Sequence, residues 1–170
     1  IKRMHQVNHI VNLANATIIK RFHDLKIKGQ IGPSFAFPVL YALDNRPENV
    51  LATEQSLDVN VWYWMDAYIL GRYPKTALAY LKNQFGIELD IREGDFGRPD
   101  FVGVNYYQSH TFAANVPNAE AGEPDQFKHV KNEHLERTSW EWEIDPTGLR
   151  IALRRITSRY DIPIMITENG

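Results

Sequence analysis

DPTGLRIALRRITSRYDIPIMITENG, residues 145–170, holds the pattern on which the fold turns. Leu149, Ala152, Leu153, Ile156 and Tyr160 recur at three- and four-residue spacings, which predicts a helix with one apolar face. Asp145 is placed to cap its N-terminus. Pro146 stands in the first turn, where a backbone N–H has no helical partner anyway. Ile162–Ile166 follows as an apolar run without polar alternation, predicted as a strand over 163–167 that is buried on both faces. A helix leading directly into such a strand is half of a parallel β/α unit. The run ends in Thr167-Glu168-Asn169-Gly170. A carboxylate therefore stands at the carboxyl end of a strand, where α/β folds keep their functional groups.

The same alternation extends upstream. Phe101, Val102 and Val104 predict a second strand within DFVGVNYY, 100–107, and it too ends in polar and aromatic residues, Asn105-Tyr106-Tyr107. Residues 48–70 predict a helix that stops at Gly71, with Pro74 soon after, and residues 75–85 a shorter one. Trp62, Met65 and Ile69 have the spacing of a core face and are read as packing. At the start of the chain, residues 4–25 predict a helix with its apolar stripe on Val7, Ile10, Val11, Ala14, Ile18 and Phe22, and with Gly29 as its stop. Residues 30–37, QIGPSFAF, read as a short strand, after which Pro38, Asn45 and Pro47 punctuate a loop. Residues 87–99 are polar and turn-like. Residues 108–146 show no sustained period; a stretch of that length is expected to fold over the surface or to serve a site. The order is helix, strand, helices, strand, long loop, helix, strand: an α/β fold with parallel strands. About three strands are visible, fewer than the eight of a closed barrel of roughly 250 residues.

Composition bounds the function. With 170 residues, 44% hydrophobic and 12% aromatic, the chain has the material for one ordinary core. The formal net charge is −2, without a basic stripe, so no nucleic-acid partner is expected. There is no cysteine, hence no disulfide and no thiolate metal site. No run of about 20 apolar residues is present to span a membrane. His5 and His9 lie four apart on a predicted helix, as paired ligands can, but no third ligand or metalloprotease pattern accompanies them; they are read as a packed or solvated pair. The chain begins on Ile1 inside a predicted helix and ends beside a predicted strand, so it is expected to be a piece of a longer protein.

If the two polar-ended strands are neighbours, Glu168 and a tyrosine meet at one end of the sheet. A carboxylate beside a phenol hydroxyl can serve as a nucleophile held by a hydrogen bond. The competing reading is structural: Glu168 caps a following helix and the tyrosines pack in the core.

The motifs are familiar as a set. ITENG at 166–170 resembles the nucleophile motif of family 1 glycoside hydrolases. DFVGVNYYQS at 100–109 resembles the strand of that family that carries its Asn-Tyr-Tyr group. WYWMDAYILGRYP at 62–74 resembles its aromatic-rich helix, and WEIDPTGLR at 142–150 the segment before its next helix. The resemblance covers the whole chain and implies a single domain piece, residues 1–170, of a (β/α)8 TIM barrel, running from the helix after the fourth strand to the end of the seventh. It implies Glu168 as the nucleophile, Tyr107 as a hydrogen-bond donor to it, and Asn105 as an organiser of the sugar site. The family retains anomeric configuration through a covalent glycosyl-enzyme, which needs a second carboxyl group as acid/base. That group lies in a Thr-x-Asn-Glu-Pro stretch of the family, which this sequence lacks. The chain by itself is therefore expected to be inactive, and its stable folding alone is in question.

TSWEWEIDPTGLRIALRRITSRYDIPIMITENG, 138–170, resembles bacterial 6-phospho-β-glucosidases above all. This implies a cytoplasmic enzyme, a 6-phosphorylated glucoside as substrate and no cofactor. The phosphate-binding groups of such enzymes would lie after Gly170, and Arg150, Arg154 and Arg155 are read as a solvated face. Trp140 and Trp142 are read as packing, with a place at the mouth of a site as the other option. A plain β-glucosidase, or a non-catalytic sugar-binding relative, remains the alternative.

Overall fold

The computed structural model describes residues 2–89, 94–114 and 127–170. Three strands, β1 (Ser34–Ala36), β3 (Val102–Tyr106) and β6 (Ile164–Asn169), form a parallel sheet in the order β1-β3-β6. The two polar-ended strands are thus neighbours. Val102, Val104 and Tyr106 alternate onto one face of β3 and are buried in the main core. That face is covered by two helical layers. One runs from α2 (Pro47–Leu57) through a π-helical turn (Asp58–Trp62) into α3 (Tyr63–Leu70). The other is α5 (Pro146–Arg159), whose Ala152 and Ile156 join the same core. Trp62, Met65 and Ile69 are buried there, as their spacing predicts. Gly71 ends α3 in the left-handed conformation that glycine adopts without strain. A shorter helix, α4 (Lys75–Phe85), builds a second cluster around Tyr63, Tyr73 and Leu81.

The first helix, α1 (Lys2–Asp24), corrects the sequence reading twice. Its expected apolar stripe faces outward: Val7, Ile10, Val11 and Ile18 are exposed. The buried face is instead His5, His9, Asn12, Ala16 and Ile19. Its polar members have partners, because Asn12 Nδ2 donates to the Tyr73 hydroxyl at 3.0 Å and His9 Nδ1 lies 2.9 Å from the same oxygen. His5 stacks obliquely on Phe85, so the two histidines are a packed pair. The helix ends at Asp24, beside the expected residue 25, but Gly29 is not its stop. Lys26 takes the left-handed position at φ 52°, while the amides of Lys26 and Ile27 reach back to His23 and Phe22.

The segments read as loops hold a second sheet. β2 (Val39–Ala42) pairs in parallel with β4 (Ser109–Ala114), and β5 (Phe127–Val130) pairs antiparallel to β4. β2 follows β1, and β4 follows β3, after a two-residue break, so this sheet rises beyond the carboxyl ends of the first. Residues 90–93 of the expected turn and 115–126 of the long loop lie outside the described residues. The expectation of two-sided burial holds for β3 but not for β6, whose Met165 and Ile166 are exposed. Among the described residues no helix is long and apolar enough to cross a membrane.

Candidate active site

The carboxyl ends of β3 and β6 carry the predicted residues. β3 and β6 run in simple register from Val102 opposite Ile164 to Val104 opposite Ile166, and then slip: Asn105 stands opposite Glu168, not Thr167. β6 therefore holds one extra residue, a bulge, which breaks the alternation of faces. Without it, neighbouring Thr167 and Glu168 would point to opposite sides of the sheet. With it, Glu168 shares the register position of Asn105 while Thr167 Oγ1 still donates to Asn105 Oδ1 at 2.5 Å. Ser34 Oγ on β1 donates to the same oxygen at 2.8 Å. Neither Ser34 nor the polar part played by Thr167 was singled out by the sequence. One signal was available: Thr167 adjoins the carboxylate that was.

Glu168 is exposed and, among the described residues, makes no hydrogen bond or ion pair. β6 extends through it to Asn169, beyond the predicted end at Thr167. The hydrogen bond expected from Tyr107 to Glu168 is not formed. Tyr107 instead packs against the indole of Trp142, centroid to centroid 5.8 Å, and Trp142 in turn meets Trp140 at 6.1 Å. These tryptophans are not core. Trp140 is 77% exposed and Trp142 40%, because the turn that carries them stands off the end of the sheet. Tyr106, Tyr107, Trp142, Asp145, Leu149 and Asn169 line a cavity of about 310 Å³ beside Gly170.

The wall of this cavity is fixed by Asp145. Its Oδ1 accepts the backbone N–H of Gly148 at 2.9 Å, the N-cap bond the sequence predicts. Its Oδ2 accepts the Tyr41 hydroxyl at 2.8 Å, and its backbone carbonyl accepts the Tyr106 hydroxyl at 2.8 Å. Burial, and then the Asp145 carboxylate, push both phenols well above the usual tyrosine range, so they remain donors. Gly148 leaves room for this arrangement: a Cβ there would run into the Tyr106 hydroxyl. Glu143, also buried, accepts from Ser109 Oγ at 3.2 Å and from the Asn132 amide at 3.2 Å, and pairs with Arg137 at 3.4 Å. It anchors the turn to β4. Of the three arginines read as a solvated face, Arg150 and Arg154 are exposed, but Arg155 donates to the Leu40 carbonyl at 3.3 Å and ties α5 to β2. Among the described residues no group of three or more His, Cys, Asp or Glu could hold a metal ion.

The chain is similar to known proteins along nearly its whole length. Aryl-phospho-β-D-glucosidase BglC of Bacillus subtilis is 44% identical over 99% of this chain, and 6-phospho-β-glucosidase of Dickeya chrysanthemi is 32% identical over 98%. The chain spans 40% and 36% of the lengths of these relatives. A solved family 1 β-glucosidase from Thermotoga maritima superposes on 95% of the chain with a TM-score of 0.81 at 26% identity, and the chain covers 36% of it. The parallel sheet and its helices are thus part of an α/β barrel. The profile of glycosyl hydrolase family 1 matches residues 1–170, and the chain belongs to that family.

Proposed function

We propose that the whole protein is a retaining β-glycosidase of 6-phospho-β-glucosides, with Glu168 as its nucleophile. The observation that carries this reading is the register slip, which brings Glu168 into register with Asn105 at the carboxyl end of the sheet in a family 1 chain. On this reading β1, β3 and β6 are the fifth, sixth and seventh strands of an eight-stranded barrel.

The chemistry needs two steps. The Glu168 carboxylate attacks the anomeric carbon as the bond to the leaving oxygen breaks, and an acid elsewhere in the whole protein gives that oxygen its proton. The same group, now a base, takes a proton from water, which attacks the anomeric carbon and frees Glu168. The two carboxyl groups must stand about 5–5.5 Å apart. No Thr-x-Asn-Glu-Pro stretch occurs in these 170 residues, so the chain alone does not hydrolyse glycosides. Tyr107 donates to Glu168 once substrate tightens the site, as catalytic hydrogen bonds that are loose in the free enzyme often do. Asn105 organises the sugar beside the reacting carbon. The exposed faces of Trp140 and Trp142, beside Tyr107, suit an aromatic leaving group. The phospho-specificity is supported by the names of the relatives most similar in sequence, and a substrate phosphorylated on import puts the enzyme in the cytoplasm.

The test is hydrolysis of p-nitrophenyl β-glucoside and of its 6-phosphate by the whole protein, beside Glu168→Gln. Cleavage of the phosphorylated substrate alone, reduced by at least about 10³-fold in the variant, is expected. Cleavage of the unphosphorylated glucoside would discard the phosphate. A fully active Glu168→Gln would remove the nucleophile.

A further inference from the structure

Asparagine is a two-ended side chain, with an acceptor at Oδ1 and a donor pair at Nδ2. Its last torsion has broad, roughly two-fold preferences, so packing alone seldom decides which end faces a site. At Asn105 hydrogen bonds decide it. Ser34 on β1 and Thr167 on β6 flank it from the two neighbouring strands, and their hydroxyls donate to Oδ1 at 2.8 and 2.5 Å. The two hydroxyl oxygens are themselves 2.8 Å apart, across β3. That approach is possible because the intervening strand carries Gly103. A Cβ there would sit 3.0 Å from both Ser34 Oγ and Thr167 Oγ1. The three oxygens share two hydroxyl protons, so at least one proton goes to Oδ1 and the other goes to Oδ1 or to the neighbouring hydroxyl. Oδ1 is therefore held within the hydroxyl pair, and among the described residues the Nδ2 group has no protein partner.

We infer that Ser34 and Thr167 are positioning residues, which clamp Oδ1 of Asn105 so that its NH₂ is the end offered to a sugar hydroxyl beside Glu168. The inference rests on the hydrolase reading above. Thr167 does a second task with the same bond. It is the bulge residue that precedes Glu168, so pinning its hydroxyl to β3 also holds the slip that aligns the carboxylate with Asn105. The three strands are thereby tied together at the level where the reacting carbon would lie. No single-strand feature could do this, and Gly103 is the space that permits it.

The experiment uses the whole enzyme, with Ser34→Ala, Thr167→Val and Thr167→Ser, each also combined with Asn105→Ala. Thr167→Val keeps the shape and removes the donor; Thr167→Ser keeps the donor. Expected for Ser34→Ala and Thr167→Val is a fall in kcat of roughly tenfold with little change in KM, since misorientation is felt most at the transition state. Thr167→Ser should restore most of kcat. In the Asn105→Ala background both losses should largely vanish, because the residues act through that amide. Thermal melts beside the kinetics separate orientation from unfolding, and if Thr167→Val does not fold, Ser34→Ala carries the test. Wild-type kcat in both Ser34→Ala and Thr167→Val, with Glu168→Gln inactive, would overturn the inference and leave the hydrolase standing. Undiminished losses in the Asn105→Ala background would overturn it too. A folded wild type that cleaves no glycoside would remove the hydrolase reading and the inference with it.

Discussion

Asp66 is a buried carboxylate without a catalytic part. It accepts Arg159 Nε at 2.8 Å, a second guanidinium N–H at 2.6 Å and the Tyr160 hydroxyl at 2.5 Å. The guanidinium also lies 4.7 Å from the centre of the Trp62 ring. These bonds fasten α3 to the end of α5. Asp66→Ala leaves a cation and a phenol without their acceptor. Full burial of the pair would make this a loss of about 3–5 kcal/mol; with a third of the arginine in water, about 2–3 kcal/mol is expected, read from denaturant midpoints of the whole protein. Nothing in the sequence joins positions 66 and 159. The placing of Asn105 and Glu168 at neighbouring strand ends was legible because they fall in recognisable motifs, and the roles given to them and to Tyr107 remain proposals. Ser34, Gly103 and Asp66 were not, because their parts depend on neighbours in space that spacing along the chain does not encode.

At the level of elements, the helices followed from the residues that begin and end them. Asp145 and Pro146 open α5, Gly71 closes α3, and α4 spans the predicted 75–85. Short strands without alternation did not: β2, β4 and β5 owe their conformation to one another and to α2, whose Asn49 Oδ1 accepts the Ala114 amide at 2.9 Å. In this sheet His110 Nδ1 on β4 lies 3.2 Å from His129 Nε2 on β5, with Phe112 against the His129 ring. Burial, and then the proximity of His129, lower the pKa of His110 from its usual 6.5, against a smaller opposing pull from Glu143. The folded state therefore prefers neutral His110, while the unfolded chain takes up the proton near pH 6.5. The stabilisation is complete above that pH and is lost as pH falls towards the lowered folded value. Hydrogen exchange of the β4–β5 amides, followed from about pH 8 to pH 5, should quicken on the acid side beyond its intrinsic pH dependence. His110→Gln should flatten the change; an unaltered pH response in that variant would assign it elsewhere.

Among the described residues, apolar side chains stand open on α1 and on both sides of β6. Met4, Val7, Ile10 and Ile18 project from α1, and Met165 and Ile166 from β6. The periodicity of α1 announced an apolar stripe correctly but could not say what lies against it. In this chain it is the opposite face, with His9 and Asn12 on Tyr73, that is covered. Open faces of this kind drive association. The 170-residue chain on its own should bind a hydrophobic dye and scatter light at micromolar concentration, and Ile10→Glu, which stands 64% exposed, should reduce both without lowering helix content. Equal scattering by the variant would place the contact elsewhere. The tryptophans divide along a different line. Trp62 is 7% exposed, whereas Trp140 and Trp142 stand at 77% and 40% beside the cavity. Emission from the outer pair should be red-shifted and open to acrylamide, while Trp62 stays shielded. An aromatic glycoside seated against the outer indoles should close that accessibility, giving the protein an intrinsic fluorescence gauge of occupancy that needs neither turnover nor a label.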